Sequence, residues 1–250
     1  MKISAAANTC YDSLLAIFYP QACEVCGGSV ESRRFGVACE ACWKQTHLFT
    51  SEDTLCWKCG VPSRGTVAVE KREQVGCRRC DDDAFTVARA CGGYEGALRA
   101  SILALKRDPF VCRRLVELMS LAQTQDPLNS ATRIIPVPLH KERQRTRGFN
   151  QAALLASALS RANSIILDSS NLVRTTHTNQ HRAGMDARDR RKTVENAFNV
   201  RYPALIEGER VLLVEDVFTT GATVSSCAQA LLHVGAAEVY VLTLARPFSY

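Results

Sequence analysis

The chain has 250 residues, 46% hydrophobic and 22% charged, the makeup of a folded protein of one or two domains, which excludes disordered and fibrous classes. Its longest apolar runs, such as Leu14 to Tyr19 and Val211 to Val214, fall far short of the ~20 residues of a membrane-spanning helix, so no span is expected. The formal charge is +6, but residues 133–192 hold twelve Lys/Arg against four acids, a local net of +8, and the rest of the chain sums to −2. Cationic density that local suits a polyanion, polyphosphate or nucleic acid, although a solvated basic face has the same pattern.

At the amino terminus Lys2 is the one cation ahead of the first apolar stretch, Asp12 precedes that stretch and Pro20 ends it. A secretory leader reads poorly there, and a cytoplasmic protein is expected. Next come four C-x-x-C pairs: Cys23/Cys26, Cys39/Cys42, Cys56/Cys59 and Cys77/Cys80. Gaps of 12, 13 and 17 residues between the pairs lie inside or near zinc-ribbon spacing, so eight thiolates predict two structural zinc ions. Gly27, Gly28 and Gly60 supply the positive backbone angles that such knuckles want.

Pairing in sequence order closes the shortest loops, though a crossed arrangement stays open. Regions this small bury little apolar surface, so the metal is expected to supply most of their folding free energy. No knuckle keeps an open water position, and none has a thioredoxin-like setting. Trp43 and Trp57 each follow a knuckle cysteine and are expected to pack over the metal; base stacking is their other use. Cys10, Cys91, Cys112 and Cys227 show no spacing pattern and read as small buried residues of a reducing compartment.

Asp81-Asp82-Asp83 marks a change of texture, so a ribbon module over residues 1–84 and a second domain over 85–250 are expected. Beyond it, periodicity predicts helices over 97–106 and 111–123 and a strand from Arg133 to Val137. A helix over 150–163 follows, capped by Asn150, and then a strand over 165–167. A charged helix or loop over 184–193, strands over 197–200, 210–214 and 238–244, and a helix over 223–234 complete the pattern. Strands alternating with helices predict a parallel α/β sheet, with ligands beyond the carboxyl ends of its strands.

Val211 to Thr223, V-L-L-V-E-D-V-F-T-T-G-A-T, carries the most chemistry. An apolar strand delivers adjacent carboxylates, Glu215 and Asp216, suited to the neighbouring hydroxyls of a ribose. The small residues Thr219, Thr220, Gly221, Ala222 and Thr223 then open a helix whose N–H groups suit a phosphate. This run resembles the phosphoribosyl pyrophosphate motif of type I phosphoribosyltransferases. Residues 134–151, I-I-P-V-P-L-H-K-E-R-Q-R-T-R-G-F-N-Q, taken with the four knuckles, resemble the ComF/GntX family, a double zinc ribbon ahead of a phosphoribosyltransferase domain; Leu105-Lys106 also matches.

That resemblance implies phosphoribosyl pyrophosphate with Mg²⁺ as ligand, Glu215 and Asp216 as catalytic acids, and Arg143 and Arg147 with Lys141 facing the pyrophosphate from a loop. It also implies a link to DNA uptake and to the use of DNA as a nutrient, with single-stranded DNA or uptake proteins as partners. In one reading the chain is an enzyme of unidentified acceptor. In the other it handles single-stranded DNA and its sugar-phosphate site is regulatory or vestigial. Against DNA binding by the ribbons, residues 1–85 hold ten Lys/Arg and eleven acids. The family's flap pattern is departed from at Met185 and Thr193, and only six residues follow Leu244, so residues 84–130 or the ribbons are expected to cover the site.

Overall fold

The computed structural model describes residues 21–63, 67–175 and 197–248. The main sheet is parallel throughout and has the order β1-β7-β6-β2-β3. Its strands are β1 (Val87–Gly93), β2 (Arg133–Pro136), β3 (Ile166–Leu167), β6 (Arg210–Val217) and β7 (Glu238–Arg246). A separate antiparallel pair joins β4 (Leu172–Arg174) to β5 (Phe198–Val200), so the strand expected over 197–200 lies outside the main sheet.

The expected helices form with small shifts at their ends. They are α2 (Gly96–Ala104), α3 (Arg113–Gln123), α5 (Gln151–Asn163) and α6 (Ala222–His233). The Asn150 side chain caps α5 by accepting from the Ala152 amide at 3.0 Å. The expected helix or loop over 184–193 lies outside the described residues.

β6 shows why a strand with no polar alternation belongs in the middle. Leu212 and Val214 face one core with Leu155, Ala156 and Leu159 of α5. Val211 and Leu213 face the other with Cys227, Ala228 and Leu231 of α6. The sheet is thus covered on both faces, as parallel sheets require.

The ribbon region sits astride the outer edge of β1. Cys23, Cys39, Cys42 and Trp43, the last two in the short helix α1 (Glu40–Gln45), join the core that holds α2 and α3. Cys56, Cys59 and Cys80 join the opposite core, with Phe85, Ala88 and Phe218. Between them the chain bonds directly to the edge: Phe49 N–H donates to the Cys91 carbonyl at 2.9 Å, Gly93 N–H to the His47 carbonyl at 3.0 Å, and Ala88 N–H to the Lys58 carbonyl at 2.7 Å. Gly92 permits the approach, since a Cβ there would lie 2.5 Å from the His47 carbonyl oxygen.

Candidate functional site

Strand β6 runs three residues beyond the expected Val214, so Glu215 and Asp216 stand on its carboxyl end rather than in a loop. Both side chains are partly exposed. The chain then turns through Phe218, Thr219 and Thr220 to Gly221, which has φ 79° and caps α6. A side chain at Gly221 would be strained by that angle and would place its Cβ 2.8 Å from the Phe218 ring and 3.3 Å from a carboxylate oxygen of Asp83.

The Thr220 hydroxyl accepts from the Ala222 N–H at 3.4 Å, and Gly221 itself offers no capping side chain. N–H groups in the first turn of a helix suit an anion. Thr219 is exposed, Thr220 and Thr223 are half-buried, and Gly221 and Ala222 are buried.

The basic segment leaves the sheet next door. Pro136 of β2 pairs with Val214, and Val137 N–H donates to the Val214 carbonyl at 2.9 Å. β2 crosses to β3 on one side while β6 and β7 lie on the other, so the gap between β2 and β6 is where strand order reverses, the place where such sheets take ligands. The segment expected as a loop is a short helix, α4 (Lys141–Arg147), begun by the His140 side chain and closed by Gly148 at φ 81°.

Lys141, Arg143 and Arg147 all belong to α4; the side chains of the first two lie outside the described residues. Arg147 Nη1 donates to Gln151 Oε1 at 2.6 Å, and Gln151 Nε2 donates to the Leu105 carbonyl at 3.4 Å. Asn150 Nδ2 donates to the Val137 carbonyl at 2.9 Å, which pins the turn after β2.

Burial, then the neighbouring Asp216 charge, pushes Glu215 up to about 8, while Arg174 of β4 pulls the other way. Asp216 Oδ1 accepts from the Val217 N–H at 2.8 Å. Arg174, whose guanidinium lies 5.5 Å from the centre of the Phe198 ring, was invisible to spacing arguments, as were Gln151, Asp83 and Phe218.

The eight knuckle cysteines converge in sequence order, Cys23/Cys26/Cys39/Cys42 and Cys56/Cys59/Cys77/Cys80, with the sulfurs of each set within 4.8 Å of one another. Sulfurs about 2.3 Å from a tetrahedral ion stand about 3.8 Å apart. Here Cys23 and Cys42 are 3.8 Å apart, Cys26 and Cys39 3.7 Å, Cys56 and Cys80 3.7 Å, and Cys59 and Cys77 3.5 Å. The donor sets fit zinc, and the crossed arrangement is excluded. Of the two tryptophans expected to pack over the metal, Trp43 is buried and donates from Nε1 to the Phe35 carbonyl at 3.0 Å. Trp57 departs from that expectation: it is 47% exposed.

Residues 14–82 match the double zinc ribbon domain. Over 236 residues the chain is 33% identical to DNA utilization protein YhgH of Escherichia coli K12, a match covering 91% of this chain and 97% of that protein. The chain belongs to the ComF/GntX family. Another ComF/GntX relative, competence protein F of Haemophilus influenzae, is 39% identical over 145 residues, which is 55% of this chain and 62% of that one.

Among solved structures, a purine phosphoribosyltransferase from Pyrococcus horikoshii Ot3 is similar at 16% identity and a TM-score of 0.35, covering 54% of this chain and 73% of that one. The ComF/GntX chain has the expected architecture, a parallel α/β core with a ribbon region of two Cys₄ clusters. Among the described residues no helix is long and apolar enough to cross a membrane.

Proposed function

We propose that the chain binds phosphoribosyl pyrophosphate with Mg²⁺ at the carboxyl ends of β2 and β6 and transfers its phosphoribosyl group to an acceptor in DNA utilization or competence. The observation that carries this reading is the pair Glu215 and Asp216 on the end of β6, directly ahead of a glycine-capped helix amino terminus and at the strand-order reversal. Two relatives are named for DNA utilization and competence, which supports the cellular setting.

In this reading the N–H groups at the start of α6, with Thr219, Thr220 and Thr223, hold the 5′-phosphate and so fix the position of C1. Asp216 accepts from the ribose hydroxyls and favours the positive charge that develops on the ring, while Glu215, which keeps its proton up to about pH 8 in the free chain, hydrogen-bonds the neighbouring hydroxyl and adds its charge once that proton is lost. Their carboxylate oxygens are also the hard donors that Mg²⁺ prefers, and the ion would neutralise the pyrophosphate when bound. Arg147 of α4, with Arg143 and Lys141 on the same helix, attracts the departing anion. The C1–oxygen bond breaks with its electron pair leaving on pyrophosphate, and the acceptor's lone pair forms the new bond at C1.

The test is calorimetric titration of the zinc-loaded protein with phosphoribosyl pyrophosphate and Mg²⁺, then pyrophosphate release against a panel of nucleobases and single-stranded DNA. Saturable binding that disappears in the Glu215→Gln/Asp216→Asn double variant supports the reading. Unchanged affinity in that variant overturns it. A second reading, single-stranded DNA handling without turnover, is favoured by Trp57, whose 47% exposed side chain offers a stacking surface. Salt-sensitive DNA binding with no pyrophosphate release would select it.

A further inference from the structure

The second metal cluster lies within reach of a buried cation supplied by the sheet. Arg246, the last residue of β7, is 5% exposed and donates from Nη1 to the carbonyl of the zinc-ligand residue Cys59. Its guanidinium carbon lies 4.9 Å from the centre of the Phe218 ring, and its Nε has no hydrogen-bond partner among the described residues.

Four thiolates around Zn²⁺ carry two negative charges in excess. A buried excess of that size needs nearby cations. Arg246 is such a cation, and it comes from the sheet rather than from the ribbon.

Phe218 links this centre to the loop. Its N–H donates to the Ala245 carbonyl at 2.9 Å, its ring meets Phe85 edge-on at 5.8 Å, and the ring occupies the space beside Gly221 where a Cβ would stand. Ala84 N–H, just past the last knuckle, donates to Ser225 Oγ of α6 at 3.0 Å. The first cluster is in the other core, across the sheet.

We propose that Arg246 is a positioning residue that balances the charge of the second zinc centre and holds Phe218 against the 218–223 loop, so that this centre, and not the first, keeps the loop in shape to receive an anion. That the anion is a sugar phosphate rests on the proposed function; the coupling does not.

The test uses full-length, zinc-loaded protein with no ligand. Zinc release to a chromogenic chelator should be biphasic. Arg246→Gln should speed one phase at least tenfold, the scale seen when a partner of a metal ligand is lost, and leave the other unchanged. Arg246→Lys, which keeps the charge, should restore that phase to within about threefold of the wild type. Hydrogen exchange of amides 218–226 should rise at least tenfold in Cys77→Ser and stay unchanged in Cys26→Ser.

If Arg246→Gln releases both ions at wild-type rates, or Arg246→Lys releases zinc as fast as Arg246→Gln, the charge role falls. If the two cysteine variants change exchange in that segment equally, the coupling falls. Neither readout uses phosphoribosyl pyrophosphate, so failure of the wild type to bind it would remove the proposed function alone.

Discussion

Arg147 and Gln151 are joined one helical turn apart across the junction of two helices, with Arg147 Nη1 donating to Gln151 Oε1 at 2.6 Å and the amide nitrogen of Gln151 anchored on the Leu105 carbonyl. The guanidinium proposed to meet the pyrophosphate is therefore held by a buried neutral side chain. Gln151→Ala should weaken phosphoribosyl pyrophosphate binding about tenfold by freeing Arg147 and should cost about 1–2 kcal/mol of stability through the unpaired Leu105 carbonyl. Calorimetric titration and thermal melting check both parts.

Glu215 makes the fold sensitive to alkali. Its folded-state pKa of about 8 lies above the ordinary carboxylate value of 4.5, so between those pH values the folded chain holds a proton that the unfolded chain releases. Its contribution is fully present at pH 4–5 and is lost as pH rises through about 8. Glu215→Gln should therefore match the wild type near pH 5 and exceed it by on the order of 2 kcal/mol near pH 9. Urea melts at the two pH values measure this; an equal gain at both would contradict it.

Gly221→Ala combines a left-handed backbone angle with a methyl group aimed at the Phe218 ring. The loss should be about 2–3 kcal/mol, with abolition of sugar diphosphate binding even at temperatures where the variant is fully folded. Circular dichroism at the binding temperature separates the two effects.

Removal of both zinc ions should unfasten the ribbon region from β1 and leave the edge groups of Ala88, Cys91 and Gly93 unpaired. An exposed parallel edge invites strand addition from another molecule. Chelator-treated protein should aggregate in a concentration-dependent way, read by light scattering, and zinc added before aggregation should reverse the change.

The parts of this molecule legible in the sequence are those whose chemistry is fixed by short covalent spacing. The C-x-x-C pairs announce their metal because two intervening residues let both sulfurs reach one ion. The run from Val211 to Thr223 shows its strand, acids and helix start in one stretch.

Helix α4 escapes, because K-E-R-Q-R-T-R carries no apolar stripe and its helix is set by His140 and Gly148 at its ends. β1 escapes as well. Its V-A-R-A-C-G-G composition is a poor strand former, and the strand exists because β7 pairs with one side and the ribbon chain with the other. Asp83 was legible only as acidic punctuation, yet it is buried against Gly221, a contact between segments far apart in sequence. Arg246 escaped for the same reason.

The order of the strands along the chain also bears on synthesis. Among the described residues, β1 is the first strand made, and its only neighbour in the main sheet, β7, is the last. A nascent β1 must wait on the ribosome for almost the whole domain, at the stage when unpaired edges are most prone to misassembly. The cysteine clusters emerge before it, so a metal-loaded clamp can already guard one side of that orphan strand while its permanent mate is still being translated.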